Sequence, residues 1–277
     1  MKSILILYHK NCPDGFGAAW AARKKFGKKA DYVAVEYRSV PKEKFFKNRK
    51  EIYICDFCYH QPVLEQLLKI NPNITIIDHH ITAKETVKLA KNHSYALNHS
   101  GAVLTWKFFH PKKPVPRLLR HVEDVDLWKW KLPFTAEISV ALELYNNFDF
   151  KKWDKIAPDF EDTKKRKKYV NEGKIILKYR DTILKRIIAG AEKVKLGKMG
   201  AFAVNSPFWQ SEIGNYIVEN KKRIGIIWSR KSGKINVSLR SKKRMTDVSK
   251  IALKYGGGGH KAASGFSLDV DKPFPWK

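Results

Sequence analysis

The sequence predicts an α/β protein, and three observations point to this fold class. In the first part of the chain, short apolar segments alternate with segments of helical spacing, which is typical of βαβ units in a parallel sheet. Beyond Phe150 strand signals are few and Lys and Arg are frequent, and from about residue 193 strands and helices mix again. We therefore expect a parallel-sheet domain at residues 1–150, a helical connector at 151–192 and a smaller α/β domain at 193–277.

Short apolar runs mark the strands of the first domain. They lie at residues 3–8, 32–36, 51–55 and 74–77, with a shorter fifth run at 95–97. Residues 9–17 contain Gly, Pro, Asn and Asp and predict a loop after the first strand. Helices alternating with these strands would make the sheet parallel and doubly wound.

Helical spacing marks the connections of this domain. Apolar residues recur at that spacing within residues 61–70. Residues 18–26 also predict a helix, and small side chains in its first turn allow it to pack closely on a sheet. Further helices are predicted at residues 100–109, 117–122 and 136–147.

The rest of the chain predicts one long helix and then a mixed sheet. Tyr169, Ile176, Ile183 and Ile187 are among the apolar residues that recur at roughly helical spacing, so a single long helix is expected across residues 151–192. Strands are predicted at residues 201–204, 223–228 and 234–239, and helices at 211–219 and 248–253. The glycine run at 256–259 interrupts the last section, and residues 262–268 follow it.

The chain carries 55 Lys and Arg residues against 27 Asp and Glu, a formal net charge of +28. The excess is spread along the chain rather than confined to a tail. Such a field attracts polyanions, so nucleic acid or a phosphorylated ligand is the leading class of partner. A Lys-rich proteome in the source organism would explain the same composition, and the charge alone leaves both explanations open.

Three cysteines, Cys12, Cys55 and Cys58, are an odd and small number for a disulfide framework. They suit a reducing compartment, so a cytoplasmic location is expected. Cys55 and Cys58 have the spacing of half a zinc knuckle, but the sequence has no second pair of cysteines. The apolar run at the N-terminus is too short for a signal peptide, and no run has transmembrane length, so no membrane partner is expected.

The sequence Asp78-His79-His80 follows the apolar run at residues 74–77. A buried strand that ends in a carboxylate and two imidazoles is unusual. Because α/β proteins place their chemistry at the carboxyl ends of strands, we expect these side chains to lie at such an edge. Other acidic and imidazole groups should converge on the same edge.

Further candidate ligands come from other segments of the same domain. They are His9 with Asp14, then Asp56, and then Asp124 with Asp126. Carboxylates and imidazoles together suit Mn²⁺, Mg²⁺, Zn²⁺ or Fe²⁺, and the mixture favours Mn²⁺. Two such ions roughly 3.5–4 Å apart clamp a phosphoryl group and activate a water. Taken singly, Asp56, Asp124 or Asp126 would more often cap a helix than bind a metal.

The glycine run Gly256 to Gly259 stands before His260. Glycines let the backbone approach a ligand closely, and their amides can form an anion-binding nest. Such a run is as often a flexible linker, but the residues after His260 are not typical of one. Arg240 and Ser241 end a predicted strand and would bring a guanidinium to the same phosphate, the alternative being a solvated surface charge.

Two motifs resemble those of the DHH phosphoesterase superfamily. The run 78–80 is similar to the signature of its catalytic domain, and residues 256–266 are similar to the glycine-rich motif of its C-terminal DHHA1 domain. Residues 11–20 and 123–128 resemble the oligoribonuclease-like, nanoRNase B-type branch. The resemblance implies two α/β domains joined by helices, an active site in the cleft between them, and hydrolysis with two divalent ions. The ions are usually Mn²⁺, with Mg²⁺ or Co²⁺ as alternatives.

Roles for individual residues are implied by their positions in these motifs. The metal ligands implied by the resemblance are His9, Asp14, Asp56, His79 and Asp124, with Asp126 as the competitor of Asp124. The catalytic residues implied are Asp78, His79 and His80. The residues implied to hold the substrate phosphate are Arg240, Ser241, Gly258, Gly259 and His260.

One position departs from the family pattern. Many relatives have two aspartates separated by one residue in the first motif, whereas here Cys12 stands at that spacing before Asp14. The expected function is metal-dependent hydrolysis of short single-stranded RNA or DNA to mononucleotides, by a monomer or a homodimer. Two alternatives stay open. One is a phosphoesterase for cyclic nucleotides or 3′-phosphoadenosine phosphate, and the other is a non-catalytic relative that binds nucleic acid.

Overall fold

The computed structural model describes residues 2–36, 42–145, 148–242 and 246–277. The chain forms two compact units, residues 1–177 and 178–277, and each unit contains one β-sheet. The expected α/β fold class, with a parallel sheet followed by a smaller α/β unit, is confirmed. No helix within the described ranges combines the length and the apolar character that crossing a bilayer requires.

The strands of the first unit are β1 (Ile4–His9), β2 (Ala30–Val35), β3 (Glu51–Cys55), β4 (Ile74–Asp78) and β5 (Asn92–Tyr95). They pair in parallel in the order β2-β1-β3-β4-β5. The chain goes from β1 to β2 on one side and then continues with β3 on the other side. This reversal lies between β1 and β3, and open α/β sheets bind ligands at the carboxyl ends of the strands at such a point.

Hydrophobic clusters cover both faces of this sheet. In β1, Leu5 packs into one cluster and Ile6 into another, as the alternation of side chains along a strand requires. All residues of β4 are buried. The register pairs Tyr8 with Cys55 and Cys55 with Ile77, so β1, β3 and β4 end at the same edge.

The helices of the first unit are α1 (Pro13–Phe26), α2 (Gln61–Ile70), α3 (Gly101–Phe109), α4 (Arg117–Asp126), α5 (Thr135–Tyr145) and α6 (Phe150–Glu161). Helix α7 (Thr163–Ala189) spans the division between the units. Short 3₁₀ turns lie at Gly27–Lys29, Glu43–Phe45, Ile81–Ala83 and Thr86–Leu89. The last two residues of the predicted helix 136–147 lie outside the described residues.

Two predictions about these helices were wrong. Helix α1 begins at Pro13, because proline fits the first helical turn and Asp14 lies beside the positive end of the helix. The predicted loop at 9–17 is therefore shorter. The predicted helix at 151–192 is in fact two helices, because the Asp162 carboxylate accepts backbone N–H groups from the first turn of α7 and starts a new helix there.

The second unit has a mixed sheet. Its strands are β6 (Glu192–Leu196), β7 (Met199–Asn205), β8 (Ile224–Lys231), β9 (Lys234–Arg240), β10 (Gly258–His260) and β11 (Ala263–Asp269). They lie in the order β10-β11-β9-β8-β7-β6, and only the β7–β8 pair among these is parallel. Its helices are α8 (Gln210–Tyr216), a π-helical turn (Ile217–Lys221) and α9 (Val248–Lys254). The sequence does not predict β6, which lacks an apolar run.

Candidate functional site

The buried imidazole of His79 lies among three carboxylates at the carboxyl edge of the parallel sheet. Its Nε2 atom is 3.3 Å from Asp56 Oδ1, 3.5 Å from Asp126 Oδ2 and 3.6 Å from Asp14 Oδ2. These residues come from four places: the first turn of α1, the residue after β3, the residue after β4 and the end of α4. The structure therefore brings together residues that are far apart in the sequence.

Asp14 is held by the N-terminus of α3. Its carboxylate accepts the backbone N–H groups of Gly101 at 2.6 Å and Ala102 at 2.9 Å. A Cβ atom at Gly101 would lie 2.5 Å from Asp56 Oδ1, so only glycine allows α3 to start this close to the site. Burial, together with the nearby Asp56 and Asp126 carboxylates, raises the pKa of Asp14 well above its usual range.

Asp56 has a left-handed backbone, with φ of 65°, at the end of β3. Within the described residues neither of its buried carboxylate oxygens accepts a hydrogen bond of regular geometry. The nearest polar atoms include His79 Nε2 at 3.3 Å and His9 Nδ1 at 3.6 Å. Burial opposes ionisation, but the two imidazoles outweigh it and hold the pKa of Asp56 well below its usual range.

Asp78 organises the residues that follow β4. Its Oδ1 atom accepts the backbone N–H groups of His79 at 2.7 Å and His80 at 3.2 Å. His80 also donates from Nδ1 to the same oxygen at 2.7 Å. This hydrogen bond raises the pKa of His80 to about 9, against the effect of burial. Asp78 thus orients the His80 imidazole and fixes the backbone of His79, and it belongs to none of the groups with metal spacing among the described residues.

In the part of the chain that the structure describes, three overlapping groups of side chains have the spacing of a metal site, with candidate ligand atoms within 4.8 Å of one another. They are His9 with Cys12 and Asp56, Asp56 with His79 and His80, and Asp14 with His79 and Asp126. Asp56 and His79 each belong to two of these groups. Burial and the nearby Asp56 and Asp14 carboxylates raise the pKa of the Cys12 thiol.

Of the two aspartates considered for the fourth segment, Asp126 belongs to one of these groups and Asp124 lies outside them. The Asp124 carboxylate is buried and accepts the backbone N–H groups of Lys131 at 2.9 Å and Leu132 at 3.0 Å. Helix α4 continues to Asp126 rather than ending at residue 122, and residues two apart on a helix do not share a face.

These residues fit a divalent cation. Three carboxylates converge within a mostly buried space, and the Asp56 oxygens have no regular donor within the described ranges. Like charges this close are costly unless a cation neutralises them. Oxygen and imidazole donors in this combination match the preferences of Mn²⁺ and Mg²⁺ better than those of a soft metal.

In the second unit, Arg240 ends β9 and is partly buried. Its guanidinium donates to Ser211 Oγ at 2.8 Å, Ser238 Oγ at 2.9 Å and the Leu239 carbonyl at 3.0 Å. The next residue, Ser241, is buried, and its hydroxyl accepts the backbone N–H of Thr246 at 3.3 Å. The guanidinium is therefore held in one orientation by the sheet and α8.

The glycine run forms part of the same sheet. Strand β11 pairs Ala263 with both His260 and Arg240, so these three residues form one row across the sheet. Directly paired residues project from the same face, which places His260 and Arg240 on one side. Gly259 has φ of 131°, and a Cβ atom there would lie 2.6 Å from the Ser264 backbone. Gly258 pairs with Gly265 in the same hairpin, and phosphate binding by these residues stays a prediction.

The sequence itself is similar to known proteins in both units. A DHHA1 domain model matches residues 211–273, which include Arg240 and the whole glycine run. The chain is 24% identical over 303 residues to the oligoribonuclease NrnB of Bacillus subtilis (strain 168), covering 95% of this chain and 72% of NrnB. The chain belongs to the DHH/DHHA1 phosphoesterase superfamily. It is also 30% identical over 289 residues to the uncharacterized protein R106 of Acanthamoeba polyphaga mimivirus, covering 95% of this chain and 67% of R106.

RecJ and PggH are among the solved structures whose fold is similar to that of this chain. RecJ of Thermus thermophilus, in complex with Mn²⁺, gives a TM-score of 0.57 at 18% identity, over 96% of this chain and 49% of RecJ. The pGpG-specific phosphodiesterase PggH of Vibrio cholerae gives a TM-score of 0.51 at 17% identity, over 98% of this chain and 94% of PggH. These likenesses show the fold, and membership of the DHH/DHHA1 superfamily places the chain among the phosphoester hydrolases.

Proposed function

We propose that this chain is a divalent-metal-dependent phosphodiesterase that hydrolyses short single-stranded oligonucleotides to mononucleotides. The observation that carries the proposal is the convergence of the Asp14, Asp56 and Asp126 carboxylates on His79, with spacing that suits a cation and with no regular donor to Asp56 among the described residues. The similarity to NrnB, named as an oligoribonuclease, supports the substrate class. The net charge of +28 supports an anionic substrate.

The metal in this proposal is Mn²⁺, held as two ions by residues of the first unit. The proposed ligands are His9, Asp14, Asp56, His79 and Asp126, with Cys12 at the position of the absent aspartate. When bound, such ions would supply an activated water and stabilise charge at phosphorus. The mixture of carboxylate and imidazole donors favours Mn²⁺, while Mg²⁺ and Co²⁺ remain alternatives that a metal panel distinguishes.

The protein side chains hold the substrate and its charge. Asp78 orients His80 through Nδ1, so Nε2 is the ring nitrogen that would donate to a phosphate oxygen. In the second unit the oriented guanidinium of Arg240 would bind a substrate phosphate, because charge-assisted hydrogen bonds from arginine suit phosphate geometry. Ser241, Gly258, Gly259 and His260 would complete that phosphate site, with backbone amides as donors. The cytoplasmic location expected from the cysteines stays a prediction.

The experiment is a substrate panel with the purified chain and Mn²⁺. The panel contains a pentaribonucleotide, a pentadeoxyribonucleotide of the same sequence, a cyclic dinucleotide, 3′-phosphoadenosine 5′-phosphate and pyrophosphate. We expect the pentaribonucleotide to be converted to mononucleotides. His79→Ala should lower that rate by more than about 100-fold. Removing a residue that only hydrogen-bonds to a metal ligand already lowers metal affinity or activity about 10- to 100-fold.

His93→Ala is the matched control, because His93 lies on β5 and its Nδ1 pairs with the Ala90 carbonyl at 3.2 Å. It should keep the wild-type rate. Binding of RNA without cleavage in Mn²⁺, Co²⁺ and Mg²⁺ would show a non-catalytic relative. Cleavage of only the cyclic dinucleotide or the phosphoadenosine would move the substrate to the alternative class.

A further inference from the structure

The loop after α4 presents two tryptophans to solvent beside the candidate metal site. We call residues 127–134 the aromatic loop. Trp128 is 59% exposed and Trp130 is 40% exposed. Their rings meet edge to face, with centroids 5.0 Å apart and planes at 82°. Lys129 and Lys131 alternate with them. Tryptophan side chains are highly buried on average, so two exposed tryptophans in contact indicate a binding surface.

The aromatic loop is fixed by Asp124, the acid that the metal groups leave out. The Asp124 carbonyl accepts the backbone N–H groups of Lys129 at 2.9 Å and Trp130 at 3.3 Å. Its carboxylate accepts those of Lys131 and Leu132. Four backbone donors of one loop thus end on a single buried residue. Asp124 is therefore a positioning residue for this loop.

The backbone of the loop is held in an unfavourable conformation. Trp128 has φ of 53° and Trp130 has φ of 51°, a region that bulky side chains rarely adopt. Lys129 ties the loop down, because its Nζ donates to the Asn98 carbonyl at 3.0 Å and to Glu123 Oε1 at 3.2 Å. Strain of this kind persists where the surrounding structure enforces it, and it is common at ligand sites. Here it turns two aromatic side chains outward.

The position of the loop connects it with the reaction. Trp128 is two residues after Asp126, so the two Cα atoms are at most about 7.6 Å apart. Asp126 in turn reaches His79 Nε2 at 3.5 Å. The loop therefore begins directly beside the residues at which the phosphodiester is expected to react.

We propose that the aromatic loop is a base-stacking platform for the nucleotide whose phosphodiester is cleaved, with Trp128 as the main stacking surface. This inference rests on the proposed function. Exposed aromatic side chains stack on the bases of a single strand whatever the base, and the Lys131 side chain in the same loop adds a cation for the phosphates. A second copy of the chain is a poor occupant, because the loop is cationic and each copy carries +28.

The test compares Trp128→Ala with wild type on two pentanucleotides that share a backbone, one with bases and one with abasic residues. For the base-bearing substrate, KM should rise about 5- to 150-fold, which is the fold-change equivalent of stacking one base on an aromatic side chain. For the abasic substrate, KM should stay the same. Trp128→Phe should restore most of the affinity. Phe108→Ala is the matched control, since Phe108 on α3 is also 40% exposed and packs on Tyr53 away from the site.

Several outcomes would overturn the inference. An equal rise of KM for both substrates would mean that the loop shapes the site without stacking. Unchanged KM values together with a smaller sedimenting species in Trp128→Ala would mean that the loop joins two copies. If wild type cleaves neither substrate, the proposed function fails. Anisotropy of a labelled pentanucleotide in EDTA then still decides whether Trp128 binds bases.

Discussion

Among the described residues of the first unit, the group around Asp124 and the group around His79 both combine acids with imidazoles, and they differ in the partners of their polar atoms. In one group the Asp124 carboxylate accepts two backbone N–H groups, and His121 Nδ1 pairs with Thr135 Oγ1 at 2.8 Å. In the other group Asp56 accepts no regular hydrogen bond from the described residues, and three carboxylates crowd His79 Nε2. The residue types are the same.

The comparison teaches that the surroundings of a side chain, rather than its type, separate a structural acid from a candidate ligand. The Asp124 carboxylate accepts backbone N–H groups of the loop that follows it and lies outside the groups with metal spacing. Asp14 also accepts two backbone N–H groups, but its Oδ2 lies 3.6 Å from His79 Nε2, and the buried Asp56 beside it has no regular donor among the described residues, at a cost to the metal-free protein. Arrangements that are unfavourable for the fold, such as these neighbouring carboxylates, are expected at functional sites.

The largest expected difference is in Mn²⁺ affinity, between the variants Asp126→Asn and Asp124→Asn. They carry the same substitution two residues apart on α4. Asp126→Asn should lower both Mn²⁺ affinity and pentaribonucleotide hydrolysis by more than about 100-fold. Asp124→Asn should keep Mn²⁺ affinity within about tenfold of wild type, because no ligand is lost. It should lower the free energy of unfolding by about 1–3 kcal/mol, since the partly buried backbone N–H of Lys131 or Leu132 loses its charged acceptor.

Isothermal titration calorimetry measures the Mn²⁺ affinity of each variant, and urea unfolding measures its free energy of unfolding. Circular dichroism in EDTA controls for the fold of both variants. Equal loss of Mn²⁺ affinity in the two variants would remove the distinction between the groups.

A second, smaller effect is expected from substitutions of Cys12. They test whether the Cys12 thiol is a metal ligand. Cobalt-loaded wild type should show thiolate-to-cobalt charge-transfer absorption, and Cys12→Ser should lack it. Cys12→Asp should raise Mn²⁺ affinity about tenfold, because Mn²⁺ prefers a carboxylate to a softer thiolate. Cys58→Ser, which removes another partly buried thiol, serves as the control and should keep the absorption. The same spectrum in wild type and Cys12→Ser would exclude the thiol as a ligand.

The smallest effect is a pH dependence of stability from His121, in the group around Asp124. Burial, followed by the nearby Arg117, lowers the pKa of His121 to about 4. The folded imidazole stays neutral while the unfolded one binds a proton below about pH 6.5. Stability is therefore complete above that pH and falls toward pH 4, by up to about 1.4 kcal/mol per unit. His121→Gln should remove this part of the slope.

Urea unfolding in EDTA at about pH 7.5 and pH 5 measures this slope. His93→Gln, a substitution on β5, should keep the wild-type slope. An unchanged slope in His121→Gln would show that the imidazole titrates normally in the folded chain.

The sequence by itself predicts the elements whose signals are local. Strand β3 and helix α2 have the predicted bounds, because an apolar run and a 3.6-residue repeat each depend on close neighbours. The run Asp78-His79-His80 also follows from local sequence, as the end of a buried strand. The meeting of Asp56 and His79 is predictable once the sheet is known to be parallel, because neighbouring strands then end at one edge.

Only the tertiary structure decided which acids face the site. Asp14 is held by Gly101 and Ala102 of α3, and Asp126 turns toward His79 while Asp124 turns to its own loop. These choices depend on where α1, α3 and α4 pack against each other. No pattern of neighbouring residues contains that information, because hydrogen bonds between distant segments form only once the chain has folded.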